Sequence, residues 1–468
     1  MSGLVTYRYA TPSVLAGDVL SFATSGGVTE TGVVAHPYFF TGFLAEPGPA
    51  AQALLATAAI ARARYYAATG MAVRSRQGVR YGTIDPVVTS NTDRLRFESF
   101  SSCCGVHARL DLPPGALATP PVTSGTTNVD FNPPMRAALA GAVATASQIL
   151  LKVGDEEFTA VTEAGSVTER KVDLPDRWVK GFGEVSALHA GMRLVAEVAG
   201  PDASRFLSGL PRTARDPLWA VPTGRTLSLA TSPRAGAAAA CLAGPERLAE
   251  LRPLLRFAKK LRVYADPGAP SEGSLPAASA WELTLGAAGA RFTLTLSPER
   301  NRGFSGEGAL LSALSVTTLA EDASLIGLLL GWDPVINLSR LTASSSLSTE
   351  RTVAALATLA TSGKVGYDLA DAAYFHRELP LGEDVERVHP RLADARSLVA
   401  AGQVTLGDGG ATSGEHRVTF GPIGTGQDTC TCPWYGKHQG TRGPCKHVLA
   451  ARIAASSLSA TAGHGTGG

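Results

Sequence analysis

The chain has 468 residues, of which 44% are hydrophobic, 18% charged and 6% aromatic, a composition that excludes wholesale disorder. Lysine and arginine total 42 against 40 aspartate and glutamate, a net charge of +2, so any nucleic-acid surface has to be a local patch and not a global field. The length suits about three domains, and 51 glycines with 29 prolines point to a turn-rich mixed fold over a coiled coil or a long bundle.

Met1 to Arg8 has no basic region followed by an apolar run and reads as no signal peptide. Gly3 to Val34 is short, alternating and turn-rich, and reads as β. Pro49 to Ala68 reads as a helix, with proline at its start and Gly70 just past its end. Val79 to Leu112 changes to β, with Asp85-Pro86, Ser90-Asn91 and Gly105 as breakers. Pro133 and Pro134 open a helix from Met135 to Ser147. Ala137 to Leu151 is shorter than the roughly 20 apolar residues of a spanning helix and contains Thr145, Ser147 and Gln148, so it reads as a buried helix running into a strand. Together these features predict a soluble, cytoplasmic chain.

Leu150 to Asp173 reads as a hairpin with Glu163-Ala164-Gly165 at its tip. Glu184 to Ala199, Pro201 to Leu210 and Pro245 to Arg262 read as helices, with short strands at Leu227 to Leu229 and Ala235 to Cys241. Trp281 to Leu296 alternates as two strands around Gly286-Ala287-Ala288-Gly289. Asp322 to Leu398 reads as mostly helical, broken at Ser344 to Ser348, and Gln403 to Thr429 returns to strands. The fold class is α+β: a multi-domain arrangement of helices and antiparallel sheet with a small C-terminal ββα-like module. The expected divisions are an α+β region 1–180, a second one 181–300, a mainly helical region 301–402, a module 403–456 and a disordered tail 457–468.

Six cysteines in this length make no disulfide framework, but Cys430, Cys432 and Cys445 lie within sixteen residues. Cys430-x-Cys432 is followed by twelve residues and then Cys445-x-His447. A structural Zn²⁺ takes four ligands at tetrahedral corners. In an extended strand Cys430 and Cys432 point to one face, Gly436, Gly440, Gly443 and Pro444 let the chain double back, and Cys445 and His447 open a helix continued by Val448, Leu449 and Ile453. The pattern therefore predicts zinc on Cys430, Cys432, Cys445 and His447, with His438 as a rival for the fourth position. Lys437, Arg442, Lys446 and Arg452 face no acidic residue between Cys430 and Ile453, and three thiolates around Zn²⁺ carry only −1, so the segment is net basic. With Trp434 and Tyr435 these cations form a candidate partner-binding surface, for phosphates and bases or for a protein.

Cys-x-Cys, a variable gap and Cys-x-His running into a helix resemble the SWIM-type zinc finger. The body is similar to longer bacterial SWIM zinc finger proteins at Phe39-Phe40-Thr41-Gly42-Phe43-Leu44, Phe97-Glu98-Ser99-Phe100-Ser101-Ser102-Cys103-Cys104-Gly105 and Thr126-Thr127-Asn128-Val129-Asp130-Phe131-Asn132-Pro133-Pro134. The resemblance implies zinc, a finger that contacts DNA or protein, and gene neighbours encoding MoxR-type AAA+ ATPases and VWA-domain proteins.

Cys103-Cys104 with His107 suggests a thiolate–imidazole pair, but its small-residue surroundings read as a strand and turn. Thr352 to Glu378 reads as helix, Ser362-Gly363-Lys364 turn and helix, a candidate helix-turn-helix for DNA, though the second helix carries Asp368, Asp371 and Glu378 against only Arg377, a poor match to phosphate. Arg62-x-Arg64-Tyr65-Tyr66 reads as helix C-terminal charge over a packed aromatic pair. No Walker A, His-Glu-x-x-His, Gly-x-Ser-x-Gly or dinucleotide motif occurs. The reading is a non-catalytic zinc adaptor that contacts protein, with nucleic-acid binding and then an enzyme site in the N-terminal body as the alternatives.

Overall fold

Strand alternation organises the body. Leu95–Phe100, Val106–Leu112, Ser279–Leu285 and Ala290–Leu296 place Leu95, Phe97, Ala108, Leu110, Trp281, Leu283, Phe292 and Leu294 on one side. They place Arg96, Glu98, His107, Arg109, Asp111, Glu282 and Arg291 on the other. The computed structural model describes residues 9, 11–16, 19–65, 85–145, 149–154, 174, 176–233, 238–267, 276–304, 311, 320–379, 390–421, 428–440 and 442–462. In it these strands sit within one ten-stranded antiparallel sheet, in the order Arg193–Ala199, Ala258–Ala265, Ser279–Leu285, Ala290–Leu296, Val106–Leu112, Leu95–Phe100, Val87–Ser90, Gly125–Asn128, Gly27–Thr29, Gly32–Val34. The boundary expected at 180 runs through this sheet, because Ala290–Leu296 pairs with Val106–Leu112 from Arg291 opposite Asp111 to Leu296 opposite Val106.

The apolar face is packed by the helix Pro47–Arg62, the 3₁₀-type stretch Pro245–Phe257 and the helix Gly200–Ser208. Pro47–Arg62 starts with proline in its first turn and buries Ala50, Ala51, Ala53, Leu54, Ala58 and Ile60; the small alanines let it lie close to the sheet. A four-stranded sheet, Val14–Ala16, Val19–Phe22, Leu150–Val153, Phe40–Phe43, shares this core through Phe22, Phe40 and Leu151.

The polar face is buried as well. The helix Asp176–Gly191 brings Trp178 and Phe182 against Phe100. The hairpin Val365–Asp368 with Ala373–His376 brings charge to charge. Asp368 meets Arg291 at 2.7 Å, Arg96 at 3.3 Å and Arg109 at 3.4 Å. Arg377 meets Glu98 at 2.5 Å, and Glu98 also holds His107 Nε2 at 3.2 Å.

Several elements depart from the sequence reading for local reasons. Glu184 to Ala199 is not one helix: Asp176–Gly191 is helical, and Arg193–Ala199 is a strand whose valines and pairing with Ala258–Ala265 outweigh helix propensity. Pro245 to Arg262 is 3₁₀-type to Phe257, with Pro253 withdrawing a donor, and then becomes strand. The second helix expected within Thr352 to Glu378 is the hairpin just described. Val365, Tyr367, Tyr374 and Phe375 favour a pleated surface, and left-handed Gly363 (φ 71°) and Ala372 (φ 49°) turn the chain. The C-terminal helix Lys446–Ala462 runs on into the expected disordered tail. Most of the hairpin expected to Asp173, its tip included, lies outside the described residues. No helix among the described residues is long and apolar enough to cross a membrane.

Candidate metal centre

Four short antiparallel strands, Val404–Gly407, Gly410–Ser413, His416–Thr419 and Thr429–Cys430, carry the first ligand. Cys430 ends the last strand, opposite Val418. Cys432 caps the helix Pro433–His438, whose leading proline needs no hydrogen-bond partner, and the Tyr435 N–H donates to Cys432 Sγ at 3.3 Å. Left-handed Gln439 (φ 44°), Gly440 (φ 77°) and Gly443 (φ 70°) reverse the chain. Cys445 then precedes Lys446–Ala462, and its Sγ accepts the Val448 N–H at 3.5 Å. Two thiols thus sit at helix starts, where backbone donors favour thiolate.

The ligand atoms of Cys430, Cys432, Cys445 and His447 all lie within 4.8 Å of one another, close to the about 3.5–3.8 Å edges of a tetrahedral zinc site with these bond lengths. His447 Nδ1 is buried with no hydrogen-bond partner, which fits a nitrogen that serves as a metal ligand. Burial, with His416 and Lys446 adding, pushes the His447 pKa down to about 4, so the imidazole is neutral and its lone pair free at pH 7. The thiols hydrogen-bond among themselves: the bond to Cys430 and then burial push Cys445 up, and the bond from Cys445 pulls Cys430 down. Such a proton-sharing set suits a divalent cation that displaces its protons. The donor set fits zinc. When bound, the ion would supply the cross-link that a core of Ala411, Val418 and Val448 is too small to provide.

The remaining sequence candidates divide. Trp434 and Tyr435 are half-buried on the finger core, and the Arg391 guanidinium lies 4.7 Å from the Trp434 ring centroid. His438 stands 4.8 Å from Trp434, ring to ring, rather than among the ligands. Lys437 and Arg442 are exposed. Lys446 meets Asp394 at 3.6 Å. Arg452, expected to face a partner, is instead an internal clamp. It holds Asp428 through two nitrogens, donates to the Gly421 carbonyl at 2.7 Å and covers Phe420. The acidic residue that neutralises it lies just before Cys430, outside the acid-free stretch.

Sequence reasoning missed Arg391 and the packing of the helix Pro390–Ala400, within the stretch expected to be helical, along the C-terminal helix. It also missed His416, whose ring lies 4.4 Å from that of His447. The Cys-x-Cys…Cys-x-His spacing carries no signal for either. In the body, Cys104 and His107 are buried. Burial pushes the Cys104 thiol up to about 12, and His107 is engaged by Glu98.

Residues 403–455 match the family model described as SWIM zinc finger. No curated protein matches the chain in sequence. Over 56% of its length the chain is similar to three solved structures. One is the Proliferating Cellular Nuclear Antigen from Entamoeba histolytica, at 10% identity over 98% of that chain, TM-score 0.29. Another is the PCNA2-PCNA3 complex from Sulfolobus tokodaii, at 8% over 100%, TM-score 0.31. The third is the C-terminal region of FEN-1 bound to A. fulgidus PCNA, at 9% over 98%, TM-score 0.32. Those likenesses are too loose to carry a functional assignment. The ligand cluster and the family match agree on the C-terminal end: residues 403–455 of this chain are a SWIM zinc finger on a larger α+β body.

Proposed function

We propose that the chain is a non-catalytic adaptor whose zinc finger contacts a protein partner. The observation that carries this reading is the pairing of the finger's cations. Arg452 is spent on Asp428 and Lys446 lies beside Asp394, which leaves Lys437, Arg442 and, on the preceding sheet, Arg417 as the exposed cations of the finger among the described residues. Three phosphate contacts at most give weak, salt-labile nucleic-acid binding. A protein partner would read the knuckle that carries exposed Pro433, Lys437, Gln439 and Arg442, with the half-buried Trp434 edge as its aromatic contact. Catalysis has little support in the body, where Cys104 is held protonated and the Glu98–His107–Arg377 cluster is buried against Phe100 and Phe182.

The test is a pull-down from native cells with the unaltered chain, with Cys445→Ser and with Lys437→Glu/Arg442→Glu, each checked for zinc. An AAA+ ATPase or a VWA-domain protein is the first partner class to probe. Loss of a protein partner in Cys445→Ser supports the reading. A tight DNA or RNA affinity at physiological salt that the charge reversal abolishes, with protein partners retained, makes nucleic acid the principal ligand instead.

A further inference from the structure

We propose that Arg391 is a positioning residue for the metal site, so that the helix Pro390–Ala400, which precedes the residues of the family match, completes the finger. The inference rests on the reading that Cys430, Cys432, Cys445 and His447 hold zinc.

One side chain reaches both halves of the ligand set. Arg391 Nη1 donates to the carbonyls of Arg442 at 3.0 Å and Pro444 at 2.9 Å. The Pro444 carbonyl belongs to the peptide that leads into Cys445, and Arg442 lies on the other side of left-handed Gly443. The same guanidinium lies over Trp434, two residues after Cys432. Cys432 and Cys445 come from opposite sides of the glycine-rich reversal. A planar guanidinium that donates from one nitrogen to two carbonyls and lays its face on an indole ties both sides together at once.

The rest of the helix holds that guanidinium in place. Leu392 and Ala395 pack with Leu449 and Ala450 of the helix that carries His447, and Ala187 of Asp176–Gly191 joins the same cluster. The ligands therefore stand on a frame that extends into the body. A metal site whose ligand-bearing segments are pre-aligned has less ordering to do when the ion arrives. Removing groups that orient ligands typically costs 10–100-fold in metal affinity.

The test is zinc affinity of the full chain by competition with a chromophoric chelator. Arg391→Met, which keeps an unbranched stem, should weaken zinc binding by about 10–100-fold. Its cobalt-loaded form should keep the thiolate-to-cobalt absorption of the unaltered site, since the four ligands remain. Arg391→Lys, which keeps the charge without the fork or the plane, should fall between the two. Ser397→Ala, exposed on the same helix, should bind zinc as the unaltered chain does. Equal affinity in Arg391→Met overturns the proposal, as does an equal loss in Ser397→Ala, which would show that the effect is not particular to Arg391. If Arg391→Met lowers the melting temperature of the whole chain, Arg391→Lys decides, and parity with the unaltered chain overturns it. If the unaltered chain binds no zinc, the metal reading fails and the proposal falls with it. If it binds zinc and both Arg391 variants bind alike, the positioning role alone is overturned.

Discussion

Asp368 and Arg291 meet at 2.7 Å across 77 residues of sequence, in a setting where Asp368 is almost fully enclosed. Burial alone would raise the Asp368 pKa, but Arg109, Arg291 and Arg96 outweigh it and hold the carboxyl well below its ordinary range. Removing it leaves buried guanidiniums short of countercharge. Asp368→Ala should cost about 3–5 kcal/mol, measured as a lower midpoint in urea at unchanged slope. Asp368→Asn should cost less, because its carbonyl oxygen can still accept the Ala370 and Asp371 N–H groups that shape the turn. A loss below 1 kcal/mol in Asp368→Ala would mean that solvent or Asp111 compensates fully.

Buried carboxyl groups give the chain opposing pH responses. Burial pushes Glu282 up to about 7 from 4.5, and Asp85 up to about 6 from 3.8. These groups take up protons in the folded state first, so their contribution to stability rises as pH falls from about 7 towards 4.5. Glu98 and Asp368 are depressed, Glu98 chiefly because Arg377 and His107 outweigh its burial. Their contribution is complete above the ordinary carboxylate range and drains away as pH falls below about 4. Glu282→Gln should flatten the rise between pH 7 and 4.5, and Asp368→Asn should remove part of the fall below pH 4. Unfolding free energies measured at intervals of half a pH unit test both slopes.

Metal removal should act locally, but reach further than the matched finger. Chelation is expected to release Thr429 to Ala455 and to loosen Pro390–Ala400, because Leu392 and Ala395 lose Leu449 and Ala450 as neighbours. Hydrogen exchange should speed up in these two segments and stay slow in Leu95–Phe100 and Val106–Leu112. Exchange that speeds up equally in the sheet would mean that the finger supports the whole body.

Ligand identity has a simple stoichiometric check. Cys430→Ser, Cys432→Ser, Cys445→Ser and His447→Ala should each lose bound zinc or bind it far more weakly, while His438→Ala should keep one equivalent. His438 lies against Trp434, outside the ligand cluster, so zinc lost from that variant would reassign the fourth position.

The finger was legible because its chemistry is local: two ligand pairs at fixed spacing, each beside a chain reversal that glycine and proline advertise. The strands of the body were legible from alternation, as in Leu95-Arg96-Phe97-Glu98. What covers their charged side was not. A charged strand face ordinarily meets water, and here it meets Asp368 and Arg377, which lie 272 and 279 residues from Arg96 and Glu98. The acidic character of that segment is visible in the sequence, but its partner on the sheet carries no local mark. The strand Arg193–Ala199 is hidden in the sequence for the same reason, since a single edge strand acquires its state from Ala258–Ala265.

The seam between Val106–Leu112 and Ala290–Leu296 also sets a timetable for biosynthesis. The first strand leaves the ribosome long before the second has been translated, an interval on the order of ten seconds or more at ordinary elongation rates. Through that interval Val106–Leu112 has an open edge where Ala290–Leu296 will later lie. The nascent chain must be kept from pairing with other chains until the C-terminal half of the sheet arrives. Fragments cut near residue 180 carry the same open edge permanently. They should accumulate in inclusion bodies even though each half contains complete helices and hairpins.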